Sequence, residues 1–309
     1  MSDLSYLQSV TIGLLQGVTE LFPVSSLGHS VLVSAWIGGS WATLVTQGDT
    51  ANSEASPYLA FIVALHVATA VALLVFYRKD WVRIIGAFFT VVRTRRVETS
   101  TQRLAMLIVA ATIPVGITGL LFEHSLRTLF AKPLAAAVFL TINGLILLGG
   151  EVLRRRVVTP PELADAPEVG AARGTAVTTR AHRRLDTLEY REAALIGLFQ
   201  TLALLAGISR SGVTMVGGLV RGLDHEDAAK FSFLLATPVI LAAGLLKLPS
   251  LAGPAGNGIQ GQVLVGALVA GVAAYGSLRY LTRYFATRTL LPFAVYSLVA
   301  GLVSVVHFA

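Results

Sequence analysis

The residues best suited to chemistry lie in one short stretch, QGVTELFPVSSLGH, which runs from Gln16 to His29. The stretch contains a carboxylate, two adjacent hydroxyls and an imidazole, which are groups that transfer protons, bind cations and act as nucleophiles. Apolar sequence flanks it on both sides, and an uncompensated polar group in such surroundings is costly in free energy. The sequence therefore predicts a polar pocket in which these side chains are used.

The spacing within this stretch predicts a helix followed by an irregular turn. Gln16 and Glu20 are four residues apart, so they share one face if the residues before Pro23 are helical. Pro23 ends that helix, and Gly28 lets another backbone segment approach closely. Irregular backbone at membrane depth occurs only where it is packed in protein or lines a watery cavity. The side chains expected on this turn are those of Ser25, Ser26 and His29.

A second stretch, GISRSGVTMVGG from Gly207 to Gly218, has the composition of a phosphate-binding segment. Arg210 carries a planar guanidinium, which can pair with two phosphate oxygens at once. Gly207 and Gly212 leave backbone amides accessible. Further hydroxyls for phosphate contacts come from Ser209, Ser211 and Thr214.

The composition is that of an integral membrane protein. Of the 309 residues, 54% are hydrophobic and 13% are charged, and the mean hydropathy is +0.72, which is too apolar for a soluble domain. The net charge of +7 does not indicate nucleic-acid binding, because the basic residues cluster between apolar runs as they do in cytoplasmic loops. The chain has no cysteine, so disulfides, thiolate catalysis and cysteine metal sites are excluded.

Six apolar stretches are long enough to cross about 30 Å of hydrocarbon as helices. They cover residues 58–77, 104–122, 133–153, 229–248, 262–281 and 290–308. Two shorter stretches, 4–18 and 193–208, each run into a turn that contains Ser and Gly, which is typical of broken or re-entrant helices. The predicted fold is all-α, with six transmembrane helices and two re-entrant helical hairpins.

The basic residues predict the orientation of the chain. Two Arg-rich segments, 78–103 and 154–191, are expected in the cytoplasm. The segments 37–57 and 249–261 contain no Lys or Arg and are expected outside, together with both termini. Residues 159–187, which include two consecutive prolines, are expected to form a flexible cytoplasmic linker.

The two halves of the chain repeat each other. Aligning Gln16 with Gln200 makes Gln, Leu, Ser and Gly identical at four of fourteen positions. Each copy is followed by three spans, and an odd number of spans makes the second half enter the membrane from the opposite side. This inverted repeat would bring Arg210 towards Glu20 and His29. The expected units are a first repeat over 1–158, the linker over 159–187 and a second repeat over 188–309.

The two stretches together resemble the bacitracin-resistance type of undecaprenyl-diphosphate phosphatase. The resemblance rests on the Gln-x-x-x-Glu segment with PVSSxGH, on GxSRSG followed by AAxFSFLLAxP, and on AFIVALHVAT around His66. It implies hydrolysis of undecaprenyl diphosphate to the monophosphate at the outer side of a bacterial inner membrane. This reaction recycles the lipid carrier of cell-wall synthesis and confers bacitracin resistance. The resemblance also implies a divalent cation, magnesium or calcium.

The family's functional residues carry over as expectations about single positions. Glu20 would hold the cation or act as general base, and Ser26 would be the attacking hydroxyl. His29 would serve as base or acid; in a rival assignment it is itself the nucleophile, and in another an activated water attacks. His66 is expected to have a structural or supporting role. Arg210 is expected to be both catalytic and substrate-binding. The remaining expectations are Gln16 with Glu20 as metal ligands, and Ser25, Ser209, Ser211 and Thr214 as further substrate-binding residues.

Two positions depart from the family pattern. Gln16 stands where many members have Glu, which removes one carboxylate that could bind a metal. Ala206 stands where Pro often precedes the glycine, and this exchange would loosen the second turn.

Other functional classes share some of these features. A transporter or flippase of a polyprenyl-phosphate lipid would also have inverted repeats, broken helices and a polar site at the midplane. The phosphatidic-acid type of membrane phosphatase is rejected, because it requires PSGH and a downstream His, whereas this chain has SLGH and no His in SRSGVTMVGG. Expected partners are the lipid substrate and membrane lipid, with a homodimer left open.

Single cysteines introduced into this cysteine-free chain test the predicted orientation. Cysteines at Ser53 and Gly256 should react with a membrane-impermeant thiol reagent added from outside, because their segments lack basic residues. A cysteine at Thr175, between the Arg-rich ends of the linker, should react only after the membrane is permeabilised. Labelling of Thr175 from outside would contradict the inverted arrangement.

Overall fold

The six apolar stretches predicted to span the membrane correspond to helices. The computed structural model describes residues 4–46, 57–130, 132–157, 183–247 and 258–309. The helices in these residues are α1 Tyr6–Thr19, α2 Ser26–Ile37, α3 Ser40–Thr46, α4 Pro57–Phe76, α5 Arg78–Thr94, α6 Ser100–Phe130, α7 Pro133–Val157, α8 Tyr190–Thr201, α9 Arg210–Val220, α10 His225–Lys247, α11 Gln260–Phe285 and α12 Leu291–Phe308. Most of the predicted linker 159–187, and the positions Ser53, Thr175 and Gly256, lie outside the described residues.

Six of these helices, α4, α6, α7, α10, α11 and α12, cover the six predicted spans. Five of them are by themselves long and apolar enough to cross a membrane, and α4 becomes a sixth when it is taken together with α5. Pro114 and Pro238 lie inside α6 and α10 without ending them, as membrane helices tolerate. The chain is therefore an all-α, multi-pass membrane protein.

The Arg-rich segment 78–103, expected as a loop, contains a helix. Here α5 turns away from α4 by 88°. Its apolar residues Trp81, Ile84 and Phe88 recur three or four apart and pack on the main core. The basic residues of this helix are all exposed. The irregular connection is thereby shortened to residues 95–99.

The two predicted hairpins are pairs of short helices with a break between them. In the first pair, α1 begins with a capping box between Ser5 and Gln8 and ends at Glu20, shortly before Pro23. Ser25 then caps α2, its Oγ accepting the backbone N–H of Gly28 at 3.3 Å. The break between the two helices therefore contains Pro23, as predicted from the sequence.

The second pair repeats this local structure at the aligned positions. The 3-10 turn Leu202–Leu204 follows α8. Ser209 caps α9, its Oγ accepting the N–H of Gly212 at 3.1 Å. Ser209 and Gly212 align with Ser25 and Gly28, so the identical Ser and Gly of the repeat form the same cap in both halves.

Small residues let the first helix of each pair lie close to a long helix of the other half. α1 packs along α11, and α8 packs along α6. A Cβ built on Gly13 would lie 2.5 Å from the carbonyl oxygen of Gly266, and one on Gly197 would overlap the backbone of Ala111. Close approach of this kind is typical of helix packing in membranes. In both halves the first short helix packs on a long helix of the other half, which agrees with the predicted repeat. The side from which each hairpin enters the membrane stays a prediction.

The two breaks contact each other at a pair of glycines. A Cβ on Gly28 would lie 2.8 Å from the Cα of Gly207, so Gly28 permits the close approach expected of it. Gly207 has a φ of +113°, which favours glycine, and its own missing Cβ leaves room for the carbonyl of Ala136. The functional residues of both motifs are thereby brought to one place.

Candidate active site

Glu20 is the residue on which the other polar side chains of the site converge. Its Oε1 accepts a hydrogen bond from Arg210 Nη2 at 2.6 Å. Its Oε2 accepts from Ser26 Oγ at 2.5 Å and from Gln16 Nε2 at 2.9 Å. The Nε2 of His66 lies 3.4 Å from the same oxygen. Glu20 is only 7% exposed, so these contacts replace the solvation that the buried carboxylate has lost.

Two of the groups that donate to Glu20, Ser26 and Arg210, occupy equivalent positions of the repeat. Ser26 is the first residue of α2, and Arg210 is the first residue of α9. The alignment of the two halves places them opposite each other, and both donate to Glu20. Arg210 lies against Glu20 as predicted. Its Nη1 is buried and has no hydrogen-bond partner among the described residues. This nitrogen is therefore available to donate a hydrogen bond to an anion.

Ser25 links the first break to the second. Its φ of +69° lies in the left-handed region, which is strained for a residue with a side chain. Its Oγ accepts the N–H of Gly28 and, at 3.1 Å, the N–H of Gly207. One hydroxyl therefore satisfies a buried amide in each half and fixes the orientation of Ser26 beside Glu20.

Asn143 is a second link between the breaks, and no sequence motif pointed to it. This buried residue of α7 donates from Nδ2 to the carbonyl of Pro23 at 3.0 Å. Its Oδ1 accepts the N–H of Ser209 at 2.9 Å. A further contact runs from Nδ2 to the hydroxyl of Ser297 at 3.2 Å. A lone Asn within an apolar span was the available signal, because a polar side chain in a membrane helix needs such partners.

The hydroxyls of the second motif divide between the cavity and the structure behind it. Ser209 lines the cavity. Ser211 does not line it, and its Oγ donates to the carbonyl of Phe22 at 3.2 Å. Thr214 also stays behind the cavity wall, donating to the carbonyl of Arg210 at 2.7 Å. Of these three predicted substrate ligands, Ser209 is the one placed where it can contact substrate.

The two histidines are placed differently from the expectation. His29 does not line the cavity; its Nδ1 lies 2.7 Å from the carbonyl of Ser25 and its Nε2 lies 2.7 Å from the hydroxyl of Tyr296. His66 does line the cavity, and its Nδ1 lies 2.8 Å from the carbonyl of Ile62. A carbonyl can only accept, so Nδ1 carries the proton in a neutral His66 and Nε2 is left free towards Glu20.

The cavity over these groups has a volume of about 310 Å³. One end is polar, and the walls beyond it come mainly from α4 and α10. The polar lining residues are Glu20, Ser25, Ser26, His66, Ser209 and Arg210. Apolar lining residues include Leu27, Ile62, Val63, Val239, Ile240 and Ala243. A ligand that combines an anionic head with an apolar chain fits this division.

The donor groups around Glu20 fit a hard divalent cation that is completed by substrate. The described residues contain no cluster of three or more His, Cys, Asp and Glu side chains that could hold a metal alone. The Oε1 of Gln16, however, is buried without a hydrogen-bond partner, next to the Glu20 carboxylate. Magnesium is commonly held by one or two carboxylates together with substrate phosphates. Glu20 and Gln16 therefore remain the predicted metal ligands.

A family model for the bacitracin resistance protein BacA matches residues 9–303. The chain belongs to the BacA family. It is 64% identical to undecaprenyl-diphosphatase 2 of Frankia alni, over 100% of this chain and 99% of that protein. It is 58% identical to undecaprenyl-diphosphatase of Mycolicibacterium paratuberculosis, over 100% and 99% of the two chains. Identity is 40% to undecaprenyl-diphosphatase of Granulibacter bethesdensis, with the same coverage.

The link made by Asn143 can be tested in this BacA-family protein by substitution. Asn143→Ala leaves the Ser209 N–H and the Pro23 carbonyl without their partner, so we expect the free energy of unfolding to fall by about 2 kcal/mol or more. Ser297→Ala, the matched control, removes one minor partner and should cost less. Thermal unfolding of the purified proteins in detergent measures both. Equal midpoints for Asn143→Ala and the unsubstituted protein would show that the breaks are held together without this residue.

Proposed function

We propose that this protein hydrolyses undecaprenyl diphosphate to undecaprenyl phosphate and inorganic phosphate. The observation that carries the proposal is the buried contact of Glu20 with Arg210 and Ser26 at the polar end of a cavity with apolar walls. A diphosphate head would lie at the polar end, and the isoprenoid chain would lie along α4 and α10. The names of the similar proteins agree with this substrate.

Arg210 and the surrounding backbone amides are the main groups that would bind the diphosphate. The carboxylate of Glu20 holds one guanidinium nitrogen, which orients the other, unpartnered nitrogen as a donor to a phosphate oxygen. The N-terminus of α9 adds a partial positive charge at the same point. Ser209 contributes a hydroxyl at the cavity wall. Positioning of this kind is the main catalytic requirement in phosphoryl transfer.

Ser26 is the proposed nucleophile. Its Oγ attacks the terminal phosphorus while its proton passes to Glu20 Oε2, to which it is already hydrogen-bonded. The bond from that phosphorus to the bridging oxygen breaks, and undecaprenyl phosphate leaves with the electron pair. Water then attacks the phosphoserine and gives a proton to His66 Nε2, while the bond between Ser26 Oγ and phosphorus breaks. Ser26 Oγ takes back its proton from Glu20, His66 passes its proton to the departing inorganic phosphate, and the free enzyme is restored.

This scheme gives His66 the proton-transfer role that the sequence assigned to His29. The reason is position, since His66 lies 3.4 Å from Glu20 within the cavity. His29 is instead a positioning residue that holds the carbonyl of Ser25. Gln16 and Glu20 would hold a magnesium or calcium ion, which when bound supplies further neutralisation of the diphosphate charge.

The proposed location is the bacterial inner membrane, with the cavity open to the periplasmic side. The support is the distribution of Arg and Lys, which places the segments 78–103 and 154–191 in the cytoplasm. In this position the protein would recycle the lipid carrier of cell-wall synthesis and confer bacitracin resistance.

Substitution of the converging residues tests the proposed reaction. Release of inorganic phosphate from a polyprenyl diphosphate by purified protein in detergent should fall on the order of 100-fold or more in Arg210→Lys, because the charge stays but the fork is lost. Glu20→Gln and Ser26→Ala should be at least as damaging. His66→Asn should lose more activity than His29→Asn. Arg93→Lys, on the exposed surface of α5, is the control and should retain the rate.

The outcomes separate the competing functions. A purified, folded protein that releases no phosphate under any condition would favour the lipid transporter or flippase. Near-native release by folded Arg210→Lys or Glu20→Gln would remove that residue from the chemistry. Greater loss in His29→Asn than in His66→Asn would return the acid and base role to His29.

A cation titration tests whether Gln16 contacts the metal. Gln16→Glu adds a carboxylate beside Glu20 and should lower the magnesium or calcium concentration that gives half-maximal phosphate release. Gln16→Ala should raise it. Gln200→Ala is the matched control, since Gln200 is the aligned and equally buried residue of the second repeat. If all four proteins half-saturate at the same concentration, Gln16 does not bind the cation and serves in packing.

A further inference from the structure

A second pocket lies at the C-terminal end of α11, and its lining is basic. It has a volume of about 520 Å³ and is lined by Arg279, Arg283 and Arg288, together with Tyr280 and Tyr284. None of the three arginines forms an ion pair with a carboxylate of the described residues. Three unneutralised guanidinium groups around one space make a site for an anion, and their planar forks match phosphate oxygens.

This pocket is separate from the cavity that contains Glu20. The two share no lining residue. An aromatic layer lies between them, in which Tyr284 stacks on Tyr280 at 5.8 Å and Tyr280 stacks on Phe22 at 5.9 Å. Phe22 belongs to the break after α1, and its carbonyl accepts the hydroxyl of Ser211, which lies behind the wall of the catalytic cavity. An anion in the second pocket is therefore not a ligand of the catalytic residues.

The surface of α11 beside the pocket is apolar and continuous with the arginines. Val272 is 75% exposed and Leu268 is 62% exposed. Successive exposed residues three or four apart share a helix face, and this face ends at Arg279 and Arg283. The exposed apolar residues along it are Leu264, Leu268, Val272 and Tyr275. We call this row the α11 strip.

We propose that the pocket binds the phosphate headgroup of a lipid whose chain lies on the α11 strip. A small phosphate ion would use the arginines alone, whereas a lipid uses both the charge and the adjacent apolar surface. Tyr280 and Tyr284 flank the pocket with hydroxyls on apolar rings, as aromatic residues do at a membrane interface. The charge-based orientation places this end of α11 at the cytoplasmic face, opposite the proposed opening of the catalytic cavity.

Ligand-dependent thermal unfolding of the full chain in detergent tests the proposal. The probes are dioctanoyl phosphatidic acid, dioctanoylglycerol without phosphate, glycerol 3-phosphate without chains, and inorganic phosphate. We expect stabilisation by phosphatidic acid at far lower concentration than by the other three. Arg279→Gln and Arg283→Gln should each raise the half-saturating concentration of phosphatidic acid about tenfold, because each removes a charge-assisted hydrogen bond.

Two further variants control for charge and for access. Arg93→Gln removes one exposed positive charge from the segment predicted to lie on the same side, and it should leave binding unchanged. Gly276→Phe fills open space in the pocket without changing charge and should weaken binding as the arginine variants do. Phosphate release should be unchanged in Arg279→Gln, since Arg279 does not reach the catalytic residues.

Three results would overturn the proposal. Equal stabilisation by inorganic phosphate and by phosphatidic acid would make the pocket an ion site rather than a lipid site. Equal weakening by Arg93→Gln would reduce the effect to general surface charge. Binding that depends on Arg210 but not on Arg279 would place the lipid in the catalytic cavity.

Discussion

The contact between Glu20 and Arg210 is the constraint on which the rest of the structure depends. Either charge alone inside a membrane protein would be strongly destabilising, and the pair is tolerable only because further donors surround the carboxylate. Those donors come from α1, α2 and α9, which belong to both halves of the chain. The fold must therefore bring both breaks to one point, where α1 ends and α2 and α9 begin.

Close backbone approach is what makes that meeting possible. Gly28 faces Gly207 with no room for a side chain, and Gly13 lies against Gly266 where α1 rests on α11. Hydrogen bonds then hold the two breaks in this close contact. Asn143 and Ser25 each bond to both halves of the chain. The polar site is thus held by the protein around it, which leaves Arg210 Nη1 and Gln16 Oε1 unpartnered and available to a ligand.

The sequence was sufficient to predict the six long apolar helices and the meeting of the two motifs. Apolar length predicts a spanning helix directly, and the repeat placed Arg210 near Glu20. The sequence was not sufficient to predict which of His29 and His66 lines the cavity. The direction of the His29 side chain depends on the left-handed backbone at Ser25, which no local sequence pattern encodes. Asn143 was missed because a single amide has no motif. The helix α5 was not predicted, because clustered basic residues are equally typical of a cytoplasmic loop.

Ser25 shows how narrow the choice of side chain becomes where two requirements coincide. Glycine would relax the left-handed backbone, but it would remove the oxygen to which Gly28 and Gly207 donate. Threonine would keep the oxygen and add a branched Cβ to a conformation that tolerates it poorly. Asparagine accepts the backbone but carries its oxygen one bond farther out. Substitutions can therefore accumulate over much of the lipid-facing surface of this protein, whereas few amino acids can replace serine at position 25.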